Sequence, residues 1–347
     1  MIRKTIALLT GLLLTLAALP AAAQQSYAVP KGAPFVHKHS GLKLPDTLLG
    51  MPMSAIREVA EDQLDIFFNY QLPGRNELVS VYIYRLPIGG VPVWFDRARH
   101  SIESRTDVYG TVTPLGVTAF APPRQTSTSG LALVYRLAGT SPFRSTGLAL
   151  LPMGEWLVKI RYSSDSLSAE ALAPRLRAVL DQLGWPAGIA NSVPARPVRP
   201  CTTPLALSGE ARELVPDEET LSADGSASLR IPTGEPAGTV PEDWCLDPTT
   251  SPVGGIYRPA DAPQGYLLTI NDAGRAVFVT PVAVERGAKP AWVVQLIEAA
   301  RTVNFLRHDR LPSPDQAVEI VNSGRYGSIT TTFGLSRTIT INSEWLK

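Results

Sequence analysis

The chain has 347 residues, 32 Lys and Arg against 31 Asp and Glu, and 44% hydrophobic residues. A balance so close to neutral offers no global field to draw nucleic acid, heparin-like polymers or an anionic membrane surface. Its length and apolar share are enough for two ordinary domains.

The chain opens with Arg3 and Lys4, an apolar run from Ile6 to Leu19, then Pro20 and Ala21-Ala22-Ala23 before Gln24. A charged start, a short apolar stretch and a small-residue cleavage site predict a secretory signal peptide over 1–23. The alternative is a membrane anchor, which needs about 20 apolar residues; Pro20 and the alanines favour cleavage. No cysteine lies near the cut for lipidation, and no later window approaches membrane-spanning length. The expectation is a periplasmic or secreted protein, soluble and without a stable membrane anchor after cleavage. Residues 24–39 then read as a flexible flank, in which His37 and His39, with Lys38 between them, should be solvated and hold no metal.

From residue 40 the pattern supports elements. Met53 to Ala60, Leu64 to Gln71 and Glu77 to Leu86 read as three strands separated by polar turns. Val91, Trp94, Phe95, Ala98 and Ile102 then fall on one helical face, with Arg97, Arg99 and His100 off it. Strands follow near 111–119, 130–138, 146–152 and 155–162, and Ser168 to Leu183 closes the block as a helix. Pro174 would cost roughly 3 kcal/mol inside that helix, so its regular part is expected to start there. The short links favour antiparallel neighbours.

That order resembles the PsbP-like α/β/α domain of secreted bacterial envelope proteins. The resemblance is carried by Leu44-Pro45, the Val81-Tyr82-Ile83-Tyr84-Arg85 strand, Trp156-x-Val158-x-Ile160-Arg161 and Leu183-Gly184-Trp185-Pro186. It covers about 40–186 and implies an antiparallel sheet between helices in a non-enzymatic accessory or binding protein. It brings no catalytic motif.

Residues 187–252 read as a Pro-rich and acidic linker. From Leu205 to Thr250 there are ten acids against two bases, with few large apolar residues. The acids lack the alternation of a calcium loop. Cys201 and Cys245 flank the stretch, and in an oxidising compartment they are most simply a disulfide. Closing a loop of that length is worth about 4 kcal/mol at most; a redox-active pair would want closer spacing. Residues 253–347 read as a smaller α+β domain: a hairpin of Gly265 to Asn271 with Arg275 to Ala283, an amphipathic helix from Pro290 to Val303, a helix capped at Ser313-Pro314-Asp315-Gln316 and ended by Gly324, and strands Ser328 to Phe333 and Arg337 to Asn342. The fold class expected is therefore α+β throughout.

The chemistry is mostly defined by missing motifs. There is no Gly-x-Ser-x-Gly elbow, phosphate-cradling Gly-x-x-x-x-Gly-Lys-Ser/Thr or His-Glu-x-x-His. No cofactor or metal is called for. Among the histidines, His308 beside Asp309 is the most site-like, since a carboxylate can orient the ring; His100 is a weaker catalytic candidate. Tyr82, Tyr84, Trp94, Phe95, Trp156 and Tyr162 could line a pocket with Arg85 and Arg161 as polar partners, although the same spacing suits a packed core. The residues therefore point to a non-catalytic envelope accessory or binding protein, whose partner is a protein or small molecule and not nucleic acid. The alternative is a hydrolase of an envelope substrate built around His308 or His100.

Overall fold

The computed structural model describes residues 25–345 apart from 87, 229–242, 260 and 283–288. The signal-peptide reading of 1–23 and part of the acidic stretch lie outside the described residues. The class is α+β, with two large sheets that are antiparallel apart from one edge pair. Among the described residues no helix is long and apolar enough to cross a membrane.

The first sheet runs, in spatial order, Gln25–Tyr27, Met51–Ala60, Asp65–Gln71, Glu77–Arg85, Trp156–Ser164, Ser145–Met153, Gly130–Ala138 and Thr111–Pro114. Alternation along the two central strands gives it two different faces. Val79, Val81, Ile83, Val158 and Ile160 join Leu172, Leu176 and Val179 of helix Ala169–Gln182 in one aliphatic core. Tyr84 and Leu157 face the other way, onto Trp94, Phe95, Ala98 and Ile102 of helix Gly90–Glu103. The helix on the aliphatic face begins earlier than its proline suggests. Ser168 caps it by accepting from the Ala171 N–H at 3.3 Å, and Pro174 sits within it on the exposed side, where its ring meets solvent.

The second sheet has nine strands, Arg199–Pro200, Trp244–Leu246, Ile256–Pro259, Tyr266–Thr269, Ala276–Val282, Ala291–Ile297, Arg301–His308, Tyr326–Thr331 and Ile339–Ile341. One face carries Leu268, Val277, Val279 and Val294 with Ala317 of helix Pro314–Ser323. The other face adds Trp244, Tyr257, Leu267, Ala276 and Ile297 to the core under helix Gly90–Glu103. That helix is thus shared by both sheets.

Three expectations change here. The helix expected over Pro290 to Val303 is instead a hairpin, with Ile297 opposite Thr302 and Arg301 paired to Glu298 at its turn. A short apolar run fits either period, and here β-branched Val293, Val294 and Ile297, buried on both faces, favour the pleated surface. Secondly, the segment read as linker contributes structure to the second sheet. Arg199–Pro200 pairs in parallel with Trp244–Leu246, and Cys201 and Cys245 are joined by a disulfide with Cα atoms 4.9 Å apart. Within the acidic stretch, Glu218–Ser228 is a helix with Leu221, Asp224 and Ser228 buried. It docks through small and polar groups: a Cβ on Gly225 would lie 2.4 Å from Ile339, and the Ser228 hydroxyl bonds the Asn304 side chain at 2.5 Å. Thirdly, His37 is fully buried rather than solvated, held by Ser40 at 2.7 Å and the Gln63 carbonyl at 2.9 Å.

Candidate functional site

The aromatic and basic residues singled out in the sequence divide between packing and ties across the two sheets. Trp94 is fully buried, its indole donating to the Ile88 carbonyl at 2.6 Å. Trp156 is buried at the edge of the aliphatic core, where His37 meets it edge-on, His39 stacks on it at 5.8 Å, and Phe333 of the second half lies 6.5 Å away. Arg85, buried beside them, donates to Glu155 at 2.9 Å, to the Ala299 carbonyl at 2.6 Å and to the Thr332 carbonyl at 2.8 Å. One arginine on the first sheet therefore satisfies backbone carbonyls of two loops on the second.

A second tie forms where the Asn271-to-Gly274 turn of the second sheet meets the first. Lys159, paired in register with Tyr82, is 1% exposed; its ammonium lies 4.4 Å over the Tyr82 ring, 3.0 Å from the Asp272 carboxylate and 2.8 Å from the Asp272 carbonyl. Arg161 and Ser101 meet the same carboxylate. Burial alone would raise the Asp272 carboxyl, but Lys159 and Arg161 together hold it well below the usual carboxylate range. Asp65, buried nearby without such a pairing, is pushed up to about 7 by desolvation, with Lys159 opposing. Tyr84 is buried with its hydroxyl unpartnered, and burial drives its ionisation far up. Tyr84, Arg85, Trp94 and Trp156 are thus buried, and Tyr82 and Arg161 are half-buried around the same tie.

Among the described residues no hydrogen bond or ion pair joins His308 to Asp309, although the Asp309 charge still acts on the ring. His308 ends strand Arg301–His308 at 1% exposure with Nδ1 unpartnered; burial lowers its pKa, and Glu213 opposes in part. Asp309 instead accepts from the Arg212 N–H at 2.9 Å and from Arg310, which draws it down to about 2. Successive residues of a strand point to opposite faces, so the ring and the carboxylate leave the chain in different directions. Asp261 stands beside the disulfide, but its carboxylate is taken up by Thr202, Thr203 and Arg258.

The open feature of the seam lies elsewhere. A cleft of about 610 Å³ opens between the outer side of helix Gly90–Glu103 and the loop from Leu246 to Tyr257. The helix wall presents Arg97, His100, Ser101, Ser104 and Arg105. These fall at i, i+3, i+4, i+7 and i+8, one face of a helical turn pattern continued into the cap. His100 is exposed, as the sequence predicted. The loop wall can pack tightly because Gly254 has no side chain: a Cβ there would lie 1.6 Å from the Thr269 carbonyl oxygen. Tyr257 pins the floor by donating to Asp96 at 2.9 Å. The sequence reading recognised the helix and its polar side, yet the opposing wall comes from residues it divided between the linker and the start of the second domain.

A smaller groove of about 360 Å³ runs between the first sheet and helix Ala169–Gln182, lined by Phe120, Val134, Ala149, Leu176 and Leu180, with Arg177 over the Phe120 ring.

No family model matches the chain, and no curated protein matches it. Among solved structures, the solution structure of cyanobacterial PsbP (CyanoP) from Synechocystis sp. PCC 6803 matches at 16% identity, covering 50% of this chain and 99% of that one, with a TM-score of 0.30.

Proposed function

We propose that the chain is a secreted, non-catalytic binding protein of the cell envelope that takes its ligand in the cleft between helix Gly90–Glu103 and the 246–257 loop. The observation that carries this reading is the cleft itself, a concavity of ligand size at the meeting of two sheets. Envelope location is supported by the signal-peptide pattern and by the Cys201–Cys245 disulfide, a bond favoured in oxidising compartments.

The wall chemistry favours binding over hydrolysis. Ser101 does touch a carboxylate, Asp272, at 3.2 Å. That carboxylate is held anionic by Lys159 and Arg161, which makes it too weak a base to activate a hydroxyl. Native mass spectrometry of the protein recovered from envelope extract tests the proposal. Wild type should carry a bound mass that the cleft-filling variant Thr250→Trp loses; chemical turnover of that ligand during incubation would overturn the non-catalytic reading.

A further inference from the structure

Resting on that reading of the cleft, we infer that its ligand is an anion bearing phosphate or carboxylate groups, held by Arg97 and Arg105 with a hydroxyl donor from Ser104. The argument is one of charge accounting along the walls. Two carboxylates line the cleft, Asp96 and Asp247, and both are already committed. Asp96 accepts from Arg99 at 2.7 Å and from Tyr257 at 2.9 Å. Asp247 lies 2.8 Å from the Arg258 guanidinium, a coulombic contact rather than a well-aimed hydrogen bond, since neither atom of the pair has a hydrogen-bond partner. Arg99 is likewise spent on Asp96, with Glu103 at 3.9 Å.

Among the described residues, Arg97 and Arg105 have no such counter-charge. The Arg97 Nε is buried without a hydrogen-bond partner, and Arg105 lies over the Tyr109 ring at 5.9 Å. An anionic acceptor in the cleft would supply the counter-charge that these guanidinium groups lack. Arg97 lies on the helix and Arg105 directly follows its cap at Ser104, and both residues bound the same cleft. Their forked donors suit oxyanions, which accept two parallel hydrogen bonds from one guanidinium. A neutral ligand would leave both charges uncompensated at a desolvated contact.

The test is calorimetric titration of the mature, disulfide-intact chain with tripolyphosphate, citrate and inorganic phosphate. Tripolyphosphate or citrate should bind more tightly than inorganic phosphate because each spans more than one donor; whichever binds tighter names the head group. Arg97→Gln and Arg105→Gln should each weaken binding about tenfold or more, the scale of a lost charge-assisted hydrogen bond. Arg57→Gln, at an exposed arginine on strand Met51–Ala60, should leave affinity unchanged. Failure of all three anions to bind, or an equal loss in Arg57→Gln, would overturn the assignment. If the anions fail while envelope-recovered protein still carries a mass displaced by Thr250→Trp, the cleft stands as a binding site and only its anion chemistry falls. If that mass is also absent, both readings fall.

Discussion

Two groups of cations sit along the seam between the sheets, and they differ in whether the partner sheet supplies a counter-charge. Lys159 and Arg161 point from the first sheet into the interior, where the turn at Asp272 meets them with a carboxylate. Arg97 and Arg105 stand along the outer side of helix Gly90–Glu103, where the facing loop brings Asp247 already paired with Arg258. Burial explains the difference. A cation removed from water must be matched or lose its proton, whereas one at the rim of an open cleft can keep part of its guanidinium in water until a ligand arrives. The matched cluster holds the sheets together, and the unmatched one is left free to bind.

The sharpest way to break that contrast is to unmatch the buried cluster. Asp272→Asn leaves Lys159 and Arg161 without their carboxylate, and denaturant unfolding should show a loss of about 3–5 kcal/mol. A loss under 1 kcal/mol would mean the cluster contributes little to cohesion. Next in size is the disulfide. Reducing Cys201–Cys245, or replacing both by Ser, should cost about 2–4 kcal/mol through the 44-residue separation it spans. Hydrogen exchange should quicken first in Arg199–Pro200 and Trp244–Leu246 while Glu77–Arg85 and Trp156–Ser164 keep their protection. Early loss in the latter strands would show that the disulfide supports the first sheet as well.

Asp65 gives a smaller effect with a pH signature. Its folded-state pKa of about 7 lies above the ordinary 3.8, so the folded chain keeps a proton that the unfolded chain releases across that interval. Wild-type stability from this group is therefore present below about pH 4 and falls as pH rises towards 7. Asp65→Asn should remove that slope and stabilise the protein above pH 7 by about 2 kcal/mol, roughly half of what the full shift converts to, since relaxation and water penetration around the ionised carboxylate reduce the real penalty. An unchanged pH profile would place the proton elsewhere in the cluster.

How much of this was legible from residues alone differs between the halves. In the first sheet the alternation of Val79, Val81 and Ile83 with Tyr82 and Tyr84 set both faces, because each face met a covering layer of ordinary apolar helix. In the second half, Glu218–Ser228 escaped notice because it docks through Gly225, Ser228 and the Asp224–Arg307 ion pair, features that apolar periodicity does not register. Ala291–Ile297 was misread because its inward Gln295 satisfies itself on Ser228 and Asn304, which only tertiary contact reveals. The cleft was half legible. The stripe from Arg97 to Arg105 was visible as the polar side of a helix, but what makes it a site is the loop that faces it from about 150 residues away in sequence.

The least conspicuous prediction separates the two clusters most cleanly. Among the described residues Arg97 makes no ion pair, so removing its charge takes no stabilising partner away, and the cost of its unsatisfied Nε disappears with it. Arg97→Gln should therefore shift the unfolding free energy by no more than about 0.5 kcal/mol, in either direction, even as anion affinity falls. A comparison at low and high salt sharpens this. Repulsion between Arg97 and Arg105 is screened by added ions, so any gain in stability from the substitution should be larger at low ionic strength. A destabilisation on the scale of Asp272→Asn would mean that Arg97 is a structural tie after all, and that both clusters serve cohesion.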